Sequence, residues 1–152
     1  MEPVYQQYLD HLEELSALLE KMTGTANRKA AAARVGDLVK VDACMKEEQA
    51  YSMSLRSMDQ RRDKMLKAMG LEGLTLSQLS AHYPAALKAQ AAKAAERALT
   101  QFESYRSAAN AAKTTMELAL RDIERMFPAE GAPPAADPAV EPPPRMKTDF
   151  RA

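Results

Sequence analysis

Few residues in this sequence could carry out chemistry, and those few are scattered along the chain. His11 and His82 are its two histidines and Cys44 its one cysteine. A zinc site needs several such ligands close together, and none of the three has a second ligand at a helical spacing. A nucleophilic cysteine would need an activating base or positive surroundings, so we interpret Cys44 as a small buried apolar residue. The sequence therefore predicts no metal site and no cofactor.

Paired carboxylates are the next candidates for chemistry, at Glu13–Glu14 and Glu47–Glu48. General acid–base catalysis needs carboxylates that face one pocket, whereas neighbours on a helix point about 100° apart. The glycine turn at residues 70–73 lacks the lysine and the preceding strand of a phosphate-binding loop. Because no convergent set of polar groups is visible, we predict no catalytic residue and no enzyme.

Composition limits the function further. The 21 basic and 21 acidic side chains cancel, so the chain lacks the basic footprint of a nucleic-acid-binding protein. No apolar run is long enough to insert into a membrane, and the first residues do not resemble a signal peptide. A single cysteine fits a reducing compartment. These features predict a soluble, cytoplasmic protein with one domain.

Any functional site in this chain must be built on helices, because its apolar pattern is helical. Apolar residues in the first part of the chain alternate by three and four, which is the heptad pattern of a helix lying along another helix. A second long helix should start after Gly36 and Asp37, and a third after Pro84. Short links imply antiparallel neighbours. We therefore predict an all-α fold, an elongated antiparallel bundle of three long helices plus one short helix. The first seam is Tyr5, Tyr8, Leu12, Leu15, Leu19, Met22 and Ala26.

The second helix carries an irregular seam. Glu48 and Ser52 fall where apolar residues are expected, so either Tyr51 and Met58 rotate the apolar stripe or a polar layer lies in the bundle. Its five methionines could fill an irregular core or line a groove for a partner helix, and the pattern leaves both readings open. Its seam is Leu38, Val41, Met45, Leu55, Arg62, Leu66 and Met69.

The short helix has the clearest local signal. Thr75 and Gln78 form the pattern of a capping box, with Leu74 and Leu79 at the positions of a hydrophobic staple. Seven prolines follow residue 127, which excludes a continuous helix there. We expect a helical domain over residues 1–127 and a flexible proline-rich tail over residues 128–152.

The order of these elements resembles the FlgN family of flagellar export chaperones. The resemblance covers about residues 8–127 and is clearest over residues 34–79. It is carried by diffuse helix signatures rather than by a catalytic fingerprint: Val35-Gly36-Asp37-Leu38, Lys46-Glu47-Glu48, Leu55, Arg61-Arg62, Leu66, Met69-Gly70-Leu71 and Leu74-Thr75-Leu76-Ser77-Gln78-Leu79. The short capped helix after the glycine turn is its more specific part.

This resemblance implies a role and a set of partners. FlgN-like proteins bind the C-terminal helical region of hook-associated flagellar proteins in the bacterial cytoplasm. They prevent premature assembly and deliver these clients to the flagellar type III export apparatus. The C-terminal part of the chaperone does much of the binding. In this chain that points to Phe102, Tyr105, Met116, Leu120, Ile123 and Phe127 as client-binding residues.

The end of the tail supports a second hypothesis. Residues 145–151 form a basic segment with one aromatic residue, Phe150, after a proline spacer. Such a segment could dock on the export apparatus with Phe150 as its anchor. Two other readings stay open: a structural coiled-coil protein that forms homodimers or larger homo-oligomers, and a helical adaptor with another client.

Overall fold

The computed structural model describes residues 2–126 and Phe150. These residues form four α-helices: α1 (Glu2–Arg34), α2 (Leu38–Met69), α3 (Leu76–Ala81) and α4 (Ala85–Met126). No strand occurs in this part of the chain. The prediction of an all-helical protein with three long helices and one short helix is thereby confirmed. Phe127 and the predicted tail, apart from Phe150, lie outside the described residues.

Local chemistry fixes where the helices begin and end. Gly36 adopts a left-handed backbone with φ of 72°, and Asp37 then caps α2 by accepting a hydrogen bond from the Lys40 amide at 3.1 Å. Gly70 ends α2 in the left-handed conformation that glycine tolerates best. At α3 the Thr75 amide donates to Gln78 Oε1 at 2.9 Å, and the Gln78 amide donates to Thr75 Oγ1 at 3.3 Å. The predicted capping box is confirmed.

Helix α1 is the centre of the fold. Its predicted seam is buried in full, and α1 packs against both α2 and α4. Helix α2 runs antiparallel to it, since Arg61 pairs with Glu14 and Arg28 pairs with Glu47. Helix α4 runs parallel to it, as Arg97 near its beginning pairs with Glu13. Farther along, Ala112 of α4 packs in a cluster with Ala26 and Ala30 of α1.

The backbones of the two outer helices, α2 and α4, do not approach each other closely. No Cα atom of α2 lies within 8 Å of a Cα atom of α4, whereas directly packed helices have axes about 8–10 Å apart and closer Cα atoms. Helix α3 contacts α4 and closes the end of the fold that holds Tyr5 and Tyr83. The structure therefore does not confirm three helices packed antiparallel to one another. It shows one central helix with a neighbour on each side.

The second seam differs from its prediction at its start. Leu38 is exposed, and Met45 is only partly buried. Farther along, Leu55, Arg62, Leu66 and Met69 are buried as predicted. Because Leu38 lies directly after the turn, it is at the rim of the contact between α1 and α2 rather than within it.

Candidate functional site

Large side chains bridge the space that the backbones of α2 and α4 leave open. Leu55 and Met58 of α2 and Tyr105 of α4 meet over Leu15, Leu19 and Met22 of α1 in one buried cluster. Met58 is therefore part of the core. Its burial agrees with the interpretation that the apolar stripe of α2 rotates at Tyr51 and Met58. We call the channel bounded by α2 and α4 and floored by α1 the α2–α4 groove.

An aromatic pair lies on this cluster. The ring of Phe102 stacks on the ring of Phe150, with centroids 4.1 Å apart and planes 4° from parallel. Phe150 also packs against the buried cluster around Tyr105 and the neighbouring cluster that contains Leu66 and Ala98. An aromatic residue from the far end of the chain thus occupies a position on the groove.

A network of charged and hydroxyl groups lies at the interface between α1 and α2. Arg28 donates to Glu47 at 2.7 Å and to Thr25 Oγ1 at 2.9 Å, and Thr25 also lies 3.0 Å from Glu47 and 3.2 Å from the Tyr51 hydroxyl. The hydrogen bond from Arg28, followed by that from Thr25, lowers the pKa of Glu47. This network joins α1 to α2, so a polar layer accompanies the rotated stripe.

A second ion pair joins α1 to α2 next to this network. Lys29 of α1 donates to both carboxylate oxygens of Glu48, at 2.8 and 3.0 Å. Burial, with the charge of Glu48 as a smaller cause, raises the pKa of Tyr105 to about 12. The charge of Glu48 on α2 is thus balanced by Lys29 of α1.

Two buried ionisable groups lie farther down the α1–α2 interface. His11 and Arg62 are both buried, and His11 Nδ1 and Arg62 Nε make no hydrogen bond within the described residues. Burial is the main cause that lowers the pKa of His11 to about 4, and the positive charges of Arg61 and Arg62 lower it further. His11 is therefore an interior residue. Arg62 likewise belongs to the interior, as does Asp59, whereas the neighbouring Arg61 and Lys64 are exposed.

Helix α4 continues past the end of its neighbours. Met116 packs on the cluster formed by Ala32, Ala33 and Val41, beside the turn that joins α1 to α2. Ala112 is the last buried residue of α4, and residues 117–126 extend about 15 Å beyond Met116. Several large apolar side chains near this turn and on this extension are exposed: Val35, Leu38, Val39, Leu118, Ile123 and Met126. We call these six residues the apolar end.

Within the described residues, no group of three or more histidine, cysteine or acidic side chains is arranged to hold a metal ion. No helix in that part of the chain is long and apolar enough to cross a membrane. The geometry consists of an apolar groove, an exposed apolar end and surface ion pairs. This arrangement is suited to binding another apolar helix.

Comparison with known families agrees with this geometry. The sequence model of the family described as FlgN protein matches residues 1–127. The chain belongs to the FlgN family. FlgN proteins are flagellar export chaperones, so the resemblance found in the sequence is confirmed. No curated protein and no solved structure gives a significant match to the chain.

The residues expected to bind clients in this FlgN chain lie in three different environments. Tyr105 is buried in the core, and Phe102 is partly buried under Phe150. Met116 and Leu120 are partly buried, and Ile123 is 45% exposed. Phe127 lies outside the described residues. The structure therefore divides the set between the groove and the extension of α4.

The sequence analysis did not predict that the turn between α1 and α2 contributes exposed side chains to the apolar end. Val35 and Val39 are about 80% exposed, beside the exposed Leu38. A signal was present, because Val35 precedes the glycine of a three-residue turn, where polar residues are usual and an apolar cluster is a sign of a binding surface. Leu38 was instead assigned to the seam of α2.

Proposed function

We propose that this FlgN-family chain is a cytoplasmic export chaperone that binds the C-terminal helical region of hook-associated flagellar proteins. In this proposal residues 1–127 form the client-binding domain. Binding covers client surfaces that would otherwise assemble early, and the complex is delivered to the type III export apparatus. The single observation that carries the proposal is the exposed apolar surface along the last ten residues of α4, beyond the helices that bury the rest of it.

Exposed apolar surface favours binding because covering it lowers the free energy. Burial contributes about 25 cal/mol per Å², or about 1.5–3 kcal/mol for a large side chain that becomes fully buried. Leu118, Ile123 and Met126 are all at least 45% exposed, and each could contribute part of that amount. Together with Val35 and Val39 they offer a surface on which the apolar face of a client helix could lie.

The α2–α4 groove suggests the orientation of a bound client helix, which would lie along α4. A helix lying along α4 from Met126 to Phe102 would be about 36 Å long, which corresponds to 24 residues. At the outer end it would contact Ile123 and Leu120, and at the inner end it would reach Phe102. Tyr105 would form part of the floor, because its ring is already buried in the core.

The test compares Ile123→Ser with a matched control, Met53→Ser. Both residues are exposed apolar side chains in long helices, but Met53 lies on α2, away from the extension of α4. We expect Ile123→Ser to weaken binding of a peptide from the C-terminal helix of a hook-associated protein by roughly tenfold, since about 1.4 kcal/mol is lost. Met53→Ser should leave the affinity unchanged.

Stability and affinity are measured together in this test. Both variants should unfold within about 0.5 kcal/mol of the wild-type chain, because neither side chain is buried. Isothermal titration calorimetry gives the affinity, and urea unfolding followed by circular dichroism gives the stability. An unchanged affinity for Ile123→Ser combined with Met116→Ser, in a variant that still folds, would contradict the proposed site. A loss with Met53→Ser alone would move the site to the methionine-rich helix α2.

The exposed apolar end also supports the alternative of self-association. A second copy of the chain could cover the same residues and form a homodimer or a larger homo-oligomer. Light scattering after size-exclusion chromatography distinguishes the two cases. A monomer at high concentration that binds the client peptide supports the chaperone, whereas a defined oligomer that excludes the peptide supports the structural coiled coil. Co-purification of a different helical protein from the native cells would favour the adaptor.

Delivery is proposed to use the segment 128–152. Its basic end with Phe150 would dock on the export apparatus after the client is bound. Deletion of residues 128–152 should then abolish delivery and leave client binding in place. Loss of both activities together would argue against this division of labour.

A further inference from the structure

We propose that Phe150 is an internal competitor for the client groove, held on Phe102 in the free chaperone and released when a client helix enters. This inference rests on the proposed function for the identity of the client. It rests on the structure for the contact, because the two rings stack with centroids 4.1 Å apart. Phe150 thereby occupies the inner end of the surface assigned to the client.

Phe150 packs on the helical core from outside and is not itself one of the buried core residues. It is partly buried and packs against two buried clusters, which together contain residues of α1, α2, α3 and α4. A side chain that enters from the end of the chain can occupy this place without being needed for the helices to pack. One large apolar residue of a client helix would find the same surroundings.

The length of the intervening chain allows this contact. Phe150 follows Met126 by 24 positions, and Met126 follows Phe102 by the same number. Along α4, Met126 lies about 36 Å from Phe102, and 24 residues of extended chain reach up to about 80 Å, so the linking sequence is long enough for the contact. Tethering keeps Phe150 near the groove at an effective concentration in the millimolar range, so even a weak contact competes with a client.

The contact connects client binding to delivery. If Phe150 also anchors docking on the export apparatus, the free chaperone hides its own docking residue on Phe102. A client that covers Phe102 displaces Phe150 and exposes it. Chaperones without a client would then be held back from the export apparatus, and loaded chaperones would present the anchor.

The absence of tryptophan gives a direct probe of the contact. Because the chain contains no tryptophan, Phe150→Trp introduces the single indole in the full-length protein. Its fluorescence emission should be blue-shifted relative to free tryptophan, since the ring is partly covered on Phe102. Adding Phe102→Ala should shift the emission to that of a solvated indole. An emission already at the solvated position, and unaffected by Phe102→Ala, would overturn the proposal without any use of a client.

Client displacement is tested with the same protein. Addition of the peptide from the C-terminal helix of a hook-associated protein should red-shift the emission of Phe150→Trp. In calorimetry, Phe150→Ala should bind this peptide roughly three- to tenfold more tightly, since removing a competitor raises the fraction of binding-competent chaperone. Met146→Ala, which removes another large apolar residue of the same segment, is the matched control and should bind as the wild type does.

The remaining outcomes separate the two proposals. If the peptide binds Phe150→Ala and the wild type equally well and does not shift the emission, competition is overturned and the chaperone function stands. If the peptide binds neither form, the proposed client site is overturned together with its competitor. A tighter complex with Phe150→Ala and an emission shift on binding would support both.

Discussion

The buried imidazole of His11 should make the stability of this chaperone depend on pH in the mildly acidic range. His11 lies at the α1–α2 interface, where burial and then the charges of Arg61 and Arg62 lower its pKa to about 4; Glu14 opposes them. In the unfolded chain the pKa returns to about 6.5. The folded state therefore disfavours the protonated ring, and the unfolded state accepts the proton first.

The sign and size of the effect follow from this difference. Because the folded pKa is below the unfolded value, the stabilising contribution is fully present above about pH 6.5 and is lost as the pH falls towards 4. At pH 5 the unfolded ring is almost fully protonated and the folded ring is about nine-tenths neutral. Linkage then gives a loss of about 2 kcal/mol relative to pH 8.

The assay is urea unfolding at pH 8 and at pH 5, followed by circular dichroism, for the wild type and for His11→Gln. Glutamine does not titrate, so the free energy of unfolding should fall by about 2 kcal/mol less for His11→Gln than for the wild type. His82→Gln is the matched control, because His82 is exposed and its replacement should preserve the wild-type difference. An equal fall for the wild type and His11→Gln would refute the assignment of the acid sensitivity to His11.

Three further substitutions test the packing and the caps by the free energy of unfolding in urea. Leu19→Ala should cost about 2–5 kcal/mol, because Leu19 is fully buried between α1, α2 and α4; a cost below 1 kcal/mol would contradict the central role of α1. Thr25→Val should cost about 0.5–1.5 kcal/mol, the usual net value of a hydrogen bond, by removing the buried Thr25 hydroxyl, and a neutral result would show that the network is dispensable. Thr75→Ala should cost about 0.5–2 kcal/mol through the lost cap of α3, while Thr114→Ala on the exposed face of α4 should be nearly neutral; equal costs would contradict the cap.

The helices themselves were predictable because their signals are local. A heptad seam, a glycine turn and a capping box each involve residues within a few positions of one another, and each acts in the same way wherever the helix packs. The seam of α1 and the cap at Thr75 therefore agree with the structure residue by residue. The family resemblance added the function, which no local pattern carries.

The arrangement of the helices was less predictable because the apolar seam of one helix does not indicate which other helix packs against it. Helix α1 shows one run of apolar residues at heptad spacing, yet it supplies the floor for both α2 and α4. Ser16 and Thr25, neither of which lies on that seam, are fully buried because α1 has neighbours on two sides. Two polar residues at such positions look like surface residues in the sequence. The separation of the α2 and α4 backbones follows from this division and could not be predicted from either helix alone.

The candidate site was predictable only where its residues are adjacent in sequence. Ile123 and Leu120 lie on one stretch of α4, and their apolar character was visible there. The contact of Phe150 with Phe102 joins positions 48 residues apart, and the proline-rich sequence after residue 127 carries no helical pattern, so neither residue predicts the other. The apolar turn at Val35 is distant in sequence from α4 as well, and folding brings it beside Met116.

The composition of α4 suggests how one helix can serve both stability and binding. Its first half presents Ala91, Ala94 and Ala98 to the core, and such small side chains let it approach α1 closely. Phe102 and Tyr105 then fill the wider space towards α2. Beyond Ala112 no residue of α4 is buried, so we expect substitutions in residues 117–126 to leave its core contacts in place. If the proposed client site lies on this extension, changes in client preference can therefore leave the α1–α4 interface intact.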